Sequence, residues 1–225
     1  MKGMARSLPG CVTMARQARL FVAGLSQHVI QRGNNRGLVF RVPADYQFFA
    51  ALLRRAAGEC HVDVHGYALM SNHLHLIVTP TSGTSLPEMM QSIGRIYVPF
   101  FNSRYRRTGA LWEGRYRASA LHDDSYWMTC LRYVEMNPVR AGLVASPELY
   151  RWSSYRAHAL GREDSLITPH PLYLGMGGSP VARQRAWRAV CGIPIEAENL
   201  DEIRRAIHGG QPLGAPGPQE PVGRT

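Results

Sequence analysis

Two histidines one residue apart are the first sign of chemistry in this sequence. In "ALMSNHLHLIVTP", residues 68–80, His73 and His75 interrupt a run that otherwise reads as a buried β-strand. Side chains alternate along a strand, so His73, His75 and Ile77 share one face while Leu74, Leu76 and Val78 take the other. Two residues of strand rise span about 6.6 Å. Imidazoles that far apart can lean onto one metal ion at roughly 2.1 Å per bond. The pair is therefore half of a metal site, unless both are surface histidines on an open sheet face. Ile77 excludes two familiar completions of the pair. An HxHxD hydrolase needs an acid at that position, and an HxHxH nucleotide hydrolase needs a third histidine.

A further ligand has to come from another element facing the same side of the sheet. Of the ten tyrosines, only Tyr133 is followed four residues later by a carboxamide or carboxylate, Asn137. Residues four apart share a helix face. Asn137 precedes Pro138, which sets it at a helix end, where its amide can turn outward. By themselves the two residues fit a reactive pair as well as a packed tyrosine with a capping asparagine.

The charge balance suggests what such a site would act on. Lys and Arg number 26 against 16 Asp and Glu, a net +10. That surplus favours a polyanionic partner, nucleic acid first and an anionic membrane second. In "NSRYRRTGALWEGRYRAS", Arg104, Arg106, Arg107, Arg115 and Arg117 interleave with Tyr105, Trp112 and Tyr116. Arginines reach phosphates and aromatic rings offer stacking platforms for bases of a single strand. "RGNNRG", with Arg32 and Arg36, is a second candidate contact.

The elements that must position these residues follow from periodicity and punctuation. "SQHVIQRG" is a short strand ending in the "RGNNRG" turn cluster. Asp45 is placed to cap a helix whose apolar Phe48, Leu52 and Leu53 recur at helical spacing. Two strands joined at Ser71-Asn72 carry the histidines. Ser85, Pro87 and Glu88 start the next helix, and Pro99 is placed to kink it. "TGALWEGRYRASALH" is a loop leading into a strand. Asp123 or Asp124 caps the tyrosine helix and Pro138 stops it.

The order β-α-β-β-α-β-α predicts an α+β fold of the ferredoxin-like, split β-α-β kind. Its antiparallel sheet carries helices on one face, followed by a C-terminal helical extension. The expected organisation is a leader over 1–20, a catalytic domain over 21–165, a helical extension over 166–208 and a Pro/Gly-rich disordered tail over 209–225.

The four cysteines, Cys11, Cys60, Cys130 and Cys191, are widely spaced and contain no CxxC. Neither a zinc ribbon nor a disulfide framework is indicated. No apolar run approaches the roughly 20 residues of a membrane helix. Arg16 and Arg19 interrupt the basic N-terminus before any signal-like apolar stretch forms. These features predict a cytoplasmic protein, with Met4 and Met14 as alternative starts.

Four segments together resemble a known family. "HVIQRGNNRGLVF", "GYALMSNHLHLIV", "RTGALWEGRYRASAL" and "CLRYVEMNPVRAGLV" followed by "WSSY" are similar to the REP-associated tyrosine transposases. These belong to the HUH superfamily of single-tyrosine, insertion-sequence-type DNA transposases. The resemblance runs from about residue 20 to 175. Ser71 stands where the family more often has proline, and it serves the turn equally well. The resemblance implies that His73, His75 and Asn137 bind Mg²⁺ or Mn²⁺ and that Tyr133 is the nucleophile. It implies a partner too, single-stranded DNA that folds into hairpins at repeated palindromes. With one tyrosine per chain, two-ended events call for a homodimer or for successive reactions. Two other readings remain open at this stage: a ferredoxin-like nucleic-acid-binding protein with a dead site, and a zinc hydrolase using the HxH pair with water.

Overall fold

Strand alternation sorts the sheet into two apolar faces, and each face carries its own helices. The computed structural model describes residues 23–209 and Leu213. Strands β1 (Gln27–Arg32), β2 (Val62–Met70), β3 (His73–Pro80) and β4 (Arg117–Ala120) form one sheet in the order β2-β3-β1-β4. Every neighbouring pair is antiparallel. Helices α1 (Pro43–Glu59), α2 (Ser85–Arg104) and α3 (Asp124–Glu135) complete the predicted β-α-β-β-α-β-α order. After them come α4 (Asn137–Arg140), α5 (Tyr155–Leu160), α6 (Pro171–Leu174), α7 (Pro180–Gly192) and α8 (Ala197–Gly209).

On one face Val29, Leu69, Leu74, Leu76 and Val78 pack against Phe49, Leu53, Met89 and Tyr97 of α1 and α2. This is the single helical layer that the sequence predicts. The opposite face is covered as well. Ala68, Met70 and Ile77 pack against Leu131 and Val134 of α3, in a cluster that includes Tyr155, Trp187 and Ile203 of α5, α7 and α8. The physical reason is a second apolar stripe on β2 and β3, which needs cover as much as the first. The histidines therefore stand at the rim of a covered face.

Local signals set the helix starts, with two shifts from expectation. Asp45 lies inside α1, at its third residue, where Oδ2 accepts from the backbone N–H groups of Arg41 (2.8 Å) and Val42 (3.1 Å). Ser85 is the first residue of α2, and Oγ of Ser82 in the preceding turn accepts from the N–H of Thr84 (3.3 Å) and Ser85 (3.2 Å). Asp123 caps α3 as predicted, with Oδ1 accepting from Ser125 N–H at 2.8 Å and Tyr126 N–H at 3.3 Å. Pro138 does not end the helical run. α3 ends at Glu135, and Pro138 sits in the first turn of α4, where its missing N–H costs nothing.

One glycine decides how closely α3 meets the sheet. A Cβ on Gly66 of β2 would lie 2.2 Å from Cδ1 of Leu131, so any larger residue there requires the Leu131 side chain of α3 to move. The predicted helical stretches 181–192 and 198–210 correspond to α7 and α8. The predicted leader over 1–20 lies outside the described residues, as does the tail beyond 209 apart from Leu213. Leu213 forms a parallel bridge with Leu121 beside β4. Among the described residues no helix is long and apolar enough to cross a membrane.

Candidate active site

The turn between β2 and β3 anchors the first histidine. Nδ2 of Asn72 donates to the carbonyl of Arg36 at 3.2 Å, which orients the Asn72 amide. Oδ1 of Asn72 then faces Nδ1 of His73 at 2.7 Å. A carboxamide oxygen only accepts, so Nδ1 of His73 carries the proton and Nε2 offers its lone pair. Gly33 N–H donates to the Asn72 carbonyl at 2.8 Å, tying the "RGNNRG" loop to the same turn. Asn35 and Arg36 adopt left-handed φ values of 51° and 57°, which lets that loop fold back over Asn72.

The second histidine lies deeper. Ile30 of β1 is paired with His75, and His28, two residues earlier, points to the same face. Nε2 of His28 is 2.9 Å from Nδ1 of His75, and the rings stack with centroids 5.1 Å apart. On its far side, Nδ1 of His28 is 3.6 Å from Sγ of Cys130 on α3. Burial, with Arg140 nearby, lowers the His28 pKa to about 3. Burial and then Arg32 lower that of His73 to about 4. His75 is held well below the usual imidazole value by burial first and by the charges of its neighbours second. All three imidazoles are thus neutral near pH 7, the form that ligates metals.

Tyr133 closes the group from α3. Its ring meets His75 edge-on at 5.8 Å and His28 at 5.9 Å, while the rings of His73 and His75 are 5.0 Å apart. Cζ of Arg140 lies 3.8 Å from the Tyr133 ring centroid. Nη1 of Arg140 donates to the Tyr133 carbonyl at 3.0 Å. Asn137 is buried at the start of α4, four residues after Tyr133, and its side chain makes no hydrogen bond among the described residues.

These residues fit a divalent ion of modest demands. Two neutral imidazoles present unengaged Nε2 atoms while their Nδ1 atoms are occupied, the outer-shell arrangement usual for ligating histidines. The Asn137 amide oxygen is available as a harder ligand. Among the described residues no three His, Cys, Asp or Glu side chains group as a metal cage. Any site here depends on the amide and on solvent or substrate oxygens.

The candidate DNA-binding residues separate into groups. Arg32, Arg115 and Arg117 gather with Glu113 around a cleft of about 170 Å³ floored by Ile30, the residue opposite His75. Arg36 is exposed on the loop anchored to Asn72, and Arg106 is exposed just after α2. Trp112 is half-buried, stacked on Tyr97 at 6.1 Å, with its backbone bridged to Gly33. Arg104 pairs with Asp45 at 3.4 Å, and Arg107 lies over the Phe101 ring at 5.6 Å. Both are engaged with the α1–α2 layer.

Tyr116 corrects the sequence reading. It is only 8% exposed and belongs to the core beneath α1 and α2, so it presents no ring face to a base. Strand-like alternation turns Arg115 and Arg117 outward and Tyr116 inward. Sequence reasoning missed three residues of the site. His28 carries a detectable signal, since it is a third histidine on the same predicted sheet face once β1 is paired with β3. Arg140 lies seven residues, two helical turns, beyond Tyr133. Cys130, three residues before Tyr133, gave no signal beyond its position.

The sheet, the tyrosine helix and the rim histidines together make a DNA-processing fold, and comparison with known proteins gives its class. Residues 21–137 match the family described as IS200-like transposases. The fold is similar to that of a REP-associated tyrosine transposase bound to a REP hairpin, with TM-score 0.53 and 15% identity over 70% of this chain and 93% of that one. A candidate transposase from Deinococcus radiodurans R1 aligns with TM-score 0.38 and 18% identity over 49% of this chain and 89% of that one. No curated protein matches the sequence. The protein is a DNA transposase by class. It belongs to the IS200-like transposase family, as the four sequence motifs predict.

Proposed function

We propose that this chain is a divalent-metal-dependent single-strand DNA endonuclease and transesterase that cleaves and rejoins DNA beside hairpin repeats. The observation that carries this reading is the placement of Tyr133, whose ring lies against both the imidazole of His75 (5.8 Å) and the guanidinium of Arg140 (3.8 Å). A buried nucleophile-bearing ring against a metal-ligand face and a cation is suited to attack on an anionic phosphodiester. The structural neighbour bound to a REP hairpin supports a hairpin substrate.

Mg²⁺ or Mn²⁺ held by His73, His75 and Asn137 would neutralise a non-bridging phosphate oxygen and fix the phosphate in place. The protein supplies the rest. The Tyr133 oxygen attacks phosphorus and gives up its proton. The bond from phosphorus to the 3′ oxygen breaks, and the 3′ oxygen leaves as a hydroxyl after taking a proton. The product is a 5′-phosphotyrosine, which keeps the phosphodiester's energy, so rejoining is the reverse reaction and needs no ATP. Arg32, Arg115 and Arg117, around the cleft beside His75, hold the flanking phosphates. One nucleophile per chain means one covalent DNA end per site. Joining two ends then requires two chains or two successive reactions.

The test is a covalent adduct. Labelled single-stranded hairpin DNA incubated with the protein and Mn²⁺ gives a protein–DNA band on a denaturing gel with wild type and none with Tyr133→Phe. An adduct that persists in Tyr133→Phe removes Tyr133 from the role. His75→Ala abolishes cleavage and leaves much of the hairpin binding, because binding rests mainly on phosphate contacts.

A further inference from the structure

A buried contact links the metal-facing strand to the tyrosine helix, and none of its members beyond His75 is accounted for by the reaction above. Nδ1 of His75 on β3 meets Nε2 of His28 on β1 at 2.9 Å, and Nδ1 of His28 meets Sγ of Cys130 on α3 at 3.6 Å. His28 and Cys130 are fully buried, and His75 is 2% exposed. Burial keeps water from His28 and Cys130, so both ring nitrogens of His28 must find their partners within the protein.

Two arrangements satisfy the line. In one, the Cys130 thiol donates to Nδ1 of His28, Nε2–H of His28 donates to Nδ1 of His75, and His75 is protonated at Nε2. In the other, Nδ1–H of His75 donates to Nε2 of His28, and Nδ1–H of His28 donates to the sulfur. Only the second leaves the Nε2 lone pair of His75 open on the face it shares with His73. His73 is already fixed in the matching tautomer by the Asn72 oxygen.

We propose that His28 is a positioning residue that holds His75 as its Nδ1–H tautomer, so that both histidines present Nε2 to one divalent ion, with Cys130 as the terminal acceptor. The two histidines reach the same state by different means. A surface carboxamide sets His73, and a buried imidazole sets His75. Because Cys130 lies one helical turn before Tyr133 on α3, the same contacts register the nucleophile's helix against the ligand strand. This inference rests on the metal-site reading above, and the experiment separates the two.

Long-range ¹H–¹⁵N correlation spectra of the metal-free protein report which nitrogen of His75 carries the proton. The expected result is Nδ1–H in wild type and in His28→Gln, whose side-chain oxygen can accept the same bond. In His28→Leu, which has no acceptor, Nε2–H appears. Mn²⁺ titration followed by electron paramagnetic resonance should show roughly 10- to 100-fold weaker binding in His28→Leu. Binding in His28→Gln should stay within about threefold of wild type, since the acceptor is restored. An Nε2–H tautomer in wild type overturns the proposal, and so does unchanged Mn²⁺ affinity in a folded His28→Leu. If His28→Leu does not fold, the wild-type tautomer and the His28→Gln titration decide. A wild-type protein that binds no Mn²⁺ overturns the metal site and leaves the tautomer assignment to the spectra.

Discussion

Arg140 lies over the ring of Tyr133, with Cζ 3.8 Å from the ring centroid and Nη1 on the Tyr133 carbonyl at 3.0 Å. The guanidinium therefore grips both the side chain and the backbone of one residue from two helical turns away. A cation on a ring face contributes about 0.5–2 kcal/mol, and a loss of about 1.4 kcal/mol is tenfold in rate. Arg140→Ala is expected to slow single-turnover adduct formation by roughly 2- to 30-fold. Arg140→Lys should fall between, because an ammonium keeps the charge and loses the planar stacking. An unchanged rate in Arg140→Ala removes the residue from the mechanism.

The approach of the tyrosine helix to the sheet depends on an absent methyl group. A Cβ at Gly66 would meet Leu131 at 2.2 Å, and Leu131 lies two residues before Tyr133 on α3. Gly66→Ala should destabilise the fold by about 1–3 kcal/mol through overpacking. It should also lower the adduct yield of the folded fraction to the extent that α3, and with it Tyr133, shifts to relieve the Leu131 contact. Leu131→Ala in the Gly66→Ala background supplies the missing space and should recover part of both losses. Urea unfolding and the gel assay read the two effects separately.

Much of this arrangement was legible in the sequence, and the rest has identifiable reasons. Strand alternation assigns Leu74, Leu76 and Val78 to one core and Ile77 to the other side, as the structure has them. The i,i+4 spacing isolates Tyr133 and Asn137. Alternation also separates Tyr116 from Arg115 and Arg117, but the mixture of basic and aromatic residues there resembles a single-strand binding surface and conceals the phase. His28 becomes visible only through strand register, a long-range property that no local pattern encodes. The second helical layer was not anticipated because its sheet contribution is small, chiefly Ala68, Met70 and Ile77. The rest comes from α3 and from C-terminal helices whose docking on the sheet is a long-range property that local periodicity does not encode.

Acid should weaken the fold before it reaches the carboxylates. Burial lowers the folded-state pKa of His28 to about 3 and of His73 and His170 to about 4, against about 6.5 in the unfolded chain. Between these values the unfolded state binds more protons than the folded one, so stability falls as pH falls. The expected profile is flat above about pH 6.5 and declines from there toward about pH 4. Urea midpoints measured from pH 7.5 to 4.5 test the sign. Saturating Mn²⁺ should steepen the decline, since protons and metal compete for the same imidazoles.

One buried carboxylate ties the tyrosine helix α3 to α5 and α7. Glu135, two residues beyond Tyr133, is fully buried. It accepts from Nδ1 of His158 on α5 (2.7 Å), from Nε1 of Trp187 on α7 (2.7 Å) and from the hydroxyl of Ser154. Three donors on one carboxylate offset its desolvation, and each donor left behind in a mutant becomes a buried unmet group. Glu135→Ala should therefore cost about 3–5 kcal/mol. Glu135→Gln should cost less than Glu135→Ala, because its oxygen can still accept while its amide nitrogen faces one of the N–H donors. Trp187→Phe removes one donor, leaves the carboxylate two partners, and should cost about 1–2 kcal/mol. Urea unfolding of the three variants gives the order Ala, Gln, Phe from least to most stable. If Trp187→Phe proves as damaging as Glu135→Ala, the indole's packing in the second core outweighs its hydrogen bond, and the carboxylate is not the tie between α7 and the tyrosine helix.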